Sequence, residues 1–284
     1  MTSGDGPLFA VVGATGQQGG ATVRSLLAAG ARVRGLTRDP GSRGGQALAR
    51  QGVEVVRGDA GDPASLRAAF DGADAAFVMT TPFGPGGAEQ ETKQGIALVD
   101  AVRDAGVPRL VLNSVGGAER DTGIPHFESK RRVEEHVERL GLAATVVRPV
   151  FFMENLTWMV TPEDDGTLVL RMPLPGGVPL QMVAVQDIGT ASAAALLDPS
   201  RVPGGAIELV GDEATGEQAA EAFGRARGRP ARYEALPVDV LPDDDQRAMF
   251  TWFAHPPAYR GDLEASRRLV PDLHDLPAWL AEQP

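Results

Sequence analysis

Leu8-Phe9-Ala10-Val11-Val12-Gly13-Ala14-Thr15-Gly16-Gln17-Gln18-Gly19-Gly20 is the stretch that decides the fold. Five apolar residues of strand length end on a glycine. A second glycine, three residues on, opens a helical pattern over residues 17–29, in which Val23, Leu26 and Leu27 share one face and Gly30 marks the stop. A strand that turns through glycine directly into a helix is the first half of a βαβ unit. The same alternation continues outward. Strand-sized runs are expected at 32–36, 53–56, 75–79, 110–112 and 144–147, with helices at 43–51, 63–70, 88–105 and about 126–140. Short apolar runs separated by helices of about ten residues specify a doubly wound parallel α/β sheet covered on both faces.

After Pro149 the alternation breaks. Pro162, Gly166, Pro173, Pro175, Gly176, Gly177 and Pro179 punctuate a stretch of loops and short strands. Asp187 reads as the N-cap of an Ala-rich helix over 188–197, a strand is expected at 207–210, and helices are expected at 215–227 and 243–254. The predicted division is a nucleotide-binding domain of residues 1–150 with about 183–211, and a smaller, mainly helical domain of 151–182 and 212–284.

Composition narrows the function. The 284 residues carry a formal net charge of −11, which disfavours nucleic acid as the main partner, because tracking a phosphate backbone needs concentrated positive charge. No apolar run reaches bilayer-spanning length, and Met1 to Pro7 does not read as a secretory signal, so a cytoplasmic location and no membrane partner are expected. Cysteine is absent, which removes disulfides, thiolate metal sites and cysteine nucleophiles. The four histidines show no ligand spacing, so no metal site is expected.

The glycine turn points to a dinucleotide. Gly13, Thr15, Gly16, Gln17 and Gln18 put backbone N–H groups and the positive end of a helix at one point, which suits a pyrophosphate. The spacing is GxxGxxG rather than GxGxxG, and a simple tight turn is the alternative reading. At the tip of the second strand an NAD site would carry an acid. Arg38 stands there instead, with Arg43 nearby, offering a planar cation to a 2′-phosphate, so NADP(H) is preferred over NAD(H). Asp59 after the third strand is either an adenine contact or a turn residue. Thr80 and Thr81 end the fourth strand and are expected to line the middle of the cofactor.

On the helix near 126–140, steps of four and three connect His126, Lys130, Val133, Val137 and Leu140 into one buried stripe. Lys130 therefore points inward or to a cleft rim, with a cofactor or substrate role. The alternative is an ordinary ion pair with Glu134, which itself has Arg131 as another partner.

Taken together, GATGQQGG (13–20), TRDP (37–40), GD (58–59), KQG (93–95), HFESK (126–130) and RPVFFMENL (148–156) resemble the NmrA-like family of atypical short-chain dehydrogenase/reductases along essentially the whole chain. The resemblance is strongest to its branch of HSCARG-type NADPH sensors and bacterial quinone reductases. It implies a Rossmann sheet binding NAD(P) and a smaller C-terminal domain. It also implies a pyrophosphate loop at Gly13–Gln18, a 2′-phosphate contact at Arg38 and a ribose-holding lysine at Lys130. Val150 joins the cofactor contacts, Ser114 matches the serine that orients a substrate carbonyl, and Phe151, Glu154 and Asn155 fall where the acceptor is expected. The family's wider superfamily uses Tyr-x-x-x-Lys, but the tyrosine position here is His126, and no tyrosine precedes Tyr233. His126 is either a substitute proton donor or a helix-start residue satisfied by backbone. The implied activity is NADPH-dependent reduction of a small conjugated acceptor such as a quinone or enone. The alternative is a non-catalytic NADP(H) redox sensor acting through a protein partner, and a homo-oligomer is left open.

Overall fold

The structure, a computed structural model, describes residues 6–283. In chain order the first elements are β1 (Leu8–Val12), α1 (Gln17–Ala28), β2 (Arg32–Thr37), α2 (Arg43–Arg50), β3 (Glu54–Arg57) and α3 (Pro63–Phe70). Next come β4 (Ala75–Met79), α4 (Gly87–Asp104), β5 (Leu110–Asn113), α5 (Pro125–Leu140) and β6 (Ala144–Pro149). There follow β7 (Phe151–Phe152), α6 (Leu156–Met159), β8 (Val160–Pro162), β9 (Leu168–Met172), β10 (Leu180–Val183), α7 (Val185–Leu197) and β11 (Ala206–Leu209). The chain closes with β12 (Asp212–Ala214), α8 (Gly216–Arg227), β13 (Ala231–Ala235), α9 (Asp244–Phe253), α10 (Leu263–Leu269) and α11 (Leu276–Glu282).

Seven strands form one sheet in the order β11-β6-β5-β4-β1-β2-β3, and the pairs from β6 to β3 are parallel. This is the doubly wound Rossmann-type sheet that the alternating pattern specifies. β1 pairs with β2 on one side and β4 on the other, so the strand order reverses beside β1, where open α/β sheets bind ligands. One face buries Ala10, Ala76, Val78, Leu110 and Leu112 with Leu66 and Phe70 of α3, Leu98 and Val102 of α4, and Val133 and Val137 of α5. Each fully buried Leu or Phe of this kind contributes about 1.5–3 kcal/mol. α1 and α7 meet backbone to backbone: a Cβ on Gly189 would lie 2.4 Å from the Ala21 carbonyl carbon, so only glycine allows this approach.

Two compact units divide the chain. The first contains the chain up to Ser114, Glu128–Val147 and Ile188–Ile207; the second contains Val115–Phe127, Arg148–Asp187 and everything from Glu208 on. Besides helices α8 to α11, the second unit holds two three-stranded sheets, β12-β10-β7 and β13-β9-β8. α8 starts from a full capping box, Thr215 with Gln218, and Gly216 leaves room for the Tyr233 ring. Phe151, Phe250, Trp252, Phe253 and Tyr259 pack edge to face or tilted, with centroids 5.3–6.4 Å apart.

One expectation is corrected here. Asp187 is not the cap of α7, because the helix already starts at Val185. The Asp187 carboxylate is held elsewhere, accepting the His274 backbone N–H at 2.9 Å and lying 2.9 Å from the His274 ring Nδ1.

Candidate functional site

In the first unit the C-terminal ends of β1, β2, β4 and β5 carry most of the residues singled out above. The glycine turn is tight because it has to be. Gly13 has φ +66, in the left-handed region, and Gly16 N–H bonds back to the Gly13 carbonyl at 2.8 Å. A Cβ on Gly19 would lie 2.3 Å from that same carbonyl oxygen, so any side chain there would force the turn open. Gly16 caps α1 without a side-chain hydrogen bond, and the first turn of α1 holds no acid. The helix thus presents N–H groups without a protein anion, while Thr15, Gly16 and Gln17 are exposed. Gln18 is less open: its side-chain Oε1 accepts from the Asn113 side-chain amide at the end of β5.

At the tip of β2, Arg38 and Arg43 are exposed and make no hydrogen bond or ion pair among the described residues. Asp39 does not compete for them, since its carboxylate accepts the Gly41 N–H at 2.9 Å. Gly44 lies against Thr15, which brings the first turn of α2 to the glycine turn. Asp59 forms a turn, accepting the Gly61 N–H at 2.9 Å, while its own N–H reaches the Ser65 hydroxyl at 3.1 Å. Thr81 accepts from the Phe83 N–H at 3.3 Å.

Lys130 has a different partner from the one its helix suggested. Its ammonium donates to Glu91 Oε1 at 2.7 Å and to the Thr80 carbonyl at 3.1 Å, with the Thr80 hydroxyl at 3.4 Å. Glu134, one turn along α5, bonds Arg131 at 3.1 Å instead. Glu91 is fully buried, and its second oxygen accepts from the Ser129 hydroxyl. Sequence reasoning missed Glu91, although a signal existed: Glu91, Gly95, Leu98 and Val102 follow helical steps of four, three and four, which places an acid on the buried stripe of α4. Asn113 was missed too. Its Oδ1, and the hydroxyl of neighbouring Ser114, are buried without a hydrogen-bond partner. Orphaned buried oxygens at the ligand-binding end of a sheet have capacity for a donor that the protein does not supply.

The second unit holds the remaining candidates. His126 Nδ1 is bonded to the side chain of Asp245 on α9. Val150 is buried, with its N–H on the Leu209 carbonyl at 3.2 Å, and the Phe151 ring belongs to the aromatic cluster. Glu154 accepts the Val185 N–H at 2.9 Å through one oxygen; burial pushes its carboxyl above the usual range. Asn155 is half-buried. Neither tyrosine resembles a poised proton donor. Tyr233 donates to the carbonyls of Met172 and Leu174 and is pushed up to about 12 by burial, and burial also raises Tyr259.

The family model for the NmrA-like family matches residues 7–271. The chain belongs to that family. Among its relatives is an NAD(P)H azoreductase of Xenophilus azovorans, 31% identical over 234 residues, covering 82% of this chain and 78% of that protein. Among solved structures, the negative transcriptional regulator NmrA in complex with NADP superposes with a TM-score of 0.82 at 23% identity, covering 98% of this chain and 95% of its own. The NADPH-dependent quinone oxidoreductase QOR2 of Escherichia coli, complexed with NADPH, superposes with a TM-score of 0.80 at 22% identity, over 96% of this chain and 98% of its own. Among the described residues no helix is long and apolar enough to cross a membrane, and no cluster of three or more His, Asp or Glu is arranged to hold a metal ion.

Proposed function

We propose that this protein is an NADPH-dependent reductase of a small conjugated acceptor of the quinone, enone or azo type. The observation that carries this reading is the glycine turn at Gly13–Gly19, where a Cβ on Gly19 has no room and the start of α1 has no side-chain cap. A pyrophosphate fits the turn. Arg38, just past β2, and Arg43, at the start of α2, are unpaired among the described residues and favour a 2′-phosphate over a bare ribose. Asp59 would approach the adenine, and Thr80 and Thr81 the middle of the cofactor. Lys130 would present its ammonium to the nicotinamide ribose, and the Ser114 hydroxyl would donate to the acceptor's oxygen or nitrogen.

The bound nicotinamide would supply a hydride, which needs only an oriented acceptor. A conjugated acceptor can then take its proton from water, so the chemistry survives without a tyrosine at the position of His126. The azoreductase relative and the quinone oxidoreductase neighbour support this acceptor class. The competing reading, an NADP(H) sensor working through a protein partner, draws on the likeness to the regulator and on the absence of a poised tyrosine.

The test is loss of reduced-nicotinamide absorbance with NADPH and with NADH against menadione, an enone and an azo dye. Turnover that prefers NADPH establishes the reductase. Tight NADPH binding with no oxidation of any acceptor favours the sensor.

A further inference from the structure

We infer that Glu91 is the positioning residue for Lys130: it pins the ammonium at the end of β4, as a fixed cation for the cofactor. This deepens, and rests on, the NADP(H) reading above.

The geometry is closed on the protein side. Glu91 Oε1 takes the Lys130 ammonium at 2.7 Å and the Thr80 hydroxyl at 2.9 Å, and Oε2 takes the Ser129 hydroxyl. Thr80 in turn offers Lys130 its carbonyl at 3.1 Å and its hydroxyl oxygen at 3.4 Å. Ammonium has three protons, and all three have a protein acceptor within reach. The Lys130 side chain is nevertheless 12% exposed while that of Glu91 is 0% exposed, so the cation alone of the pair meets solvent. The close crossing of α4 and α5 sets this arrangement. A Cβ on Gly95 would lie 2.4 Å from Val133 Cγ2, so glycine lets α4 bring Glu91 up to α5.

A merely structural pair would gain little from this design, because well-packed apolar residues stabilise such a position as well or better. The cluster also lies at the end of β4, beside the strand that carries the glycine turn. A half-buried lysine without its counter-ion loses its proton more easily. Glu91 supplies the carboxylate that lies against the Lys130 ammonium. The charged groups facing Lys130 are few. α4 contributes Glu91, β4 contributes no ionisable side chain, and on α5 Glu134 is engaged by Arg131.

The experiment measures NADPH affinity, by nucleotide fluorescence, from pH 6 to pH 9 for the wild type, Glu91→Gln, Glu91→Asp and Lys130→Met. Glu91→Gln keeps the shape and removes the charge. It should bind NADPH about as the wild type does at pH 6 and about tenfold more weakly at pH 9, where the wild type stays flat. Glu91→Asp should restore most of the flat profile. Lys130→Met should be weak at every pH and flat. His126, one turn before Lys130 on α5, and its partner Asp245 are unchanged throughout. Should Glu91→Gln fail to fold, Thr80→Val, which removes one hydroxyl from the same cluster, should show the same alkaline loss at about threefold. A Glu91→Gln profile parallel to the wild type, or in its place a Thr80→Val profile parallel to it, overturns the assignment. Wild-type protein that binds no NADPH overturns the functional reading itself, whereas wild-type turnover with a flat Glu91→Gln profile overturns this inference alone.

Discussion

Glu91 in the first unit and Asp187 in the second are both buried carboxylates, 1% and 2% exposed, and each lies beside a cation. They are held in different ways. Glu91 collects donors from three side chains, Thr80, Ser129 and Lys130, at the end of the sheet. The Asp187 carboxylate is bonded by His274 through backbone and ring, which anchors a segment 87 residues further along the chain. Glu282 approaches Nε2 of the His274 ring and accepts from Gln186, while nearby Glu154 keeps Oε2 buried without a hydrogen-bond partner among the described residues. In the first unit Asn113 Oδ1 and Ser114 Oγ at the end of β5, with Arg38 past β2 and Arg43 at the start of α2, have no partners among the described residues. Buried charge that ties chain to chain is engaged by one distant residue. Buried charge at a ligand edge stabilises one group and leaves its neighbours open.

The largest effect should come from breaking the Glu91 pair on one side only. Lys130→Met leaves a buried carboxylate without its cation, and such changes cost about 3–5 kcal/mol. Adding Glu91→Gln should return at least half of that loss in urea unfolding without restoring NADPH binding. Equal losses in the single and double variants would show that the pair does not hold the unit together. A smaller effect, on ligand rather than fold, is expected from the open groups. Arg38→Ala removes a charge-assisted contact of about 1.5–3 kcal/mol, roughly ten- to a hundredfold in NADPH affinity. Melting temperature and NADH affinity should stay where they are, because an exposed, unpaired guanidinium supports nothing else. If Arg38→Ala weakens NADH as much as NADPH, the 2′-phosphate assignment fails.

The contrast also explains what was legible in the sequence. The Rossmann-type sheet could be read because each strand and helix announces itself locally, through an apolar run, a glycine stop or a proline near a helix start. Lys130 was legible from helical phase alone. Its partner was not assigned, because Glu91 lies 39 residues away and only the crossing of α4 over α5 joins them. The same holds for Asp245, 119 residues from His126. β13 escaped notice because Arg232 and Glu234 flank its one aromatic residue, Tyr233, so its pattern reads as a loop. What makes it a strand is pairing with β9, a contact of long sequence separation. Asp187 was misread for a related reason: its acid is a good cap by type, but a tertiary partner takes it.

The pH dependence of stability should be the smallest effect and belongs to the second unit. Burial pulls the His274 imidazole down, but the hydrogen bond and charge of Asp187, with those of Glu282, more than offset it, so the ring titrates above its ordinary value. A group raised on folding contributes stability that is complete below its unfolded value, near 6.5, and is lost as the pH climbs through the folded value. Asp187 shifts the same way for another reason. Burial outweighs the His274 hydrogen bonds and raises its carboxyl, so its ionisation also weighs against the folded state as pH rises. Thermal unfolding should therefore show a loss of less than about 1 kcal/mol between pH 6 and pH 8.5, since the ring is partly solvated and screening limits such pairs. His274→Asn removes the titrating group and should flatten that part of the curve, while Arg38→Ala, at an exposed residue, should leave the slope unchanged. If the wild-type slope rises with pH, or persists in full in His274→Asn, the Asp187 pair is not the pH-sensitive element and the two carboxylates differ in position rather than in kind.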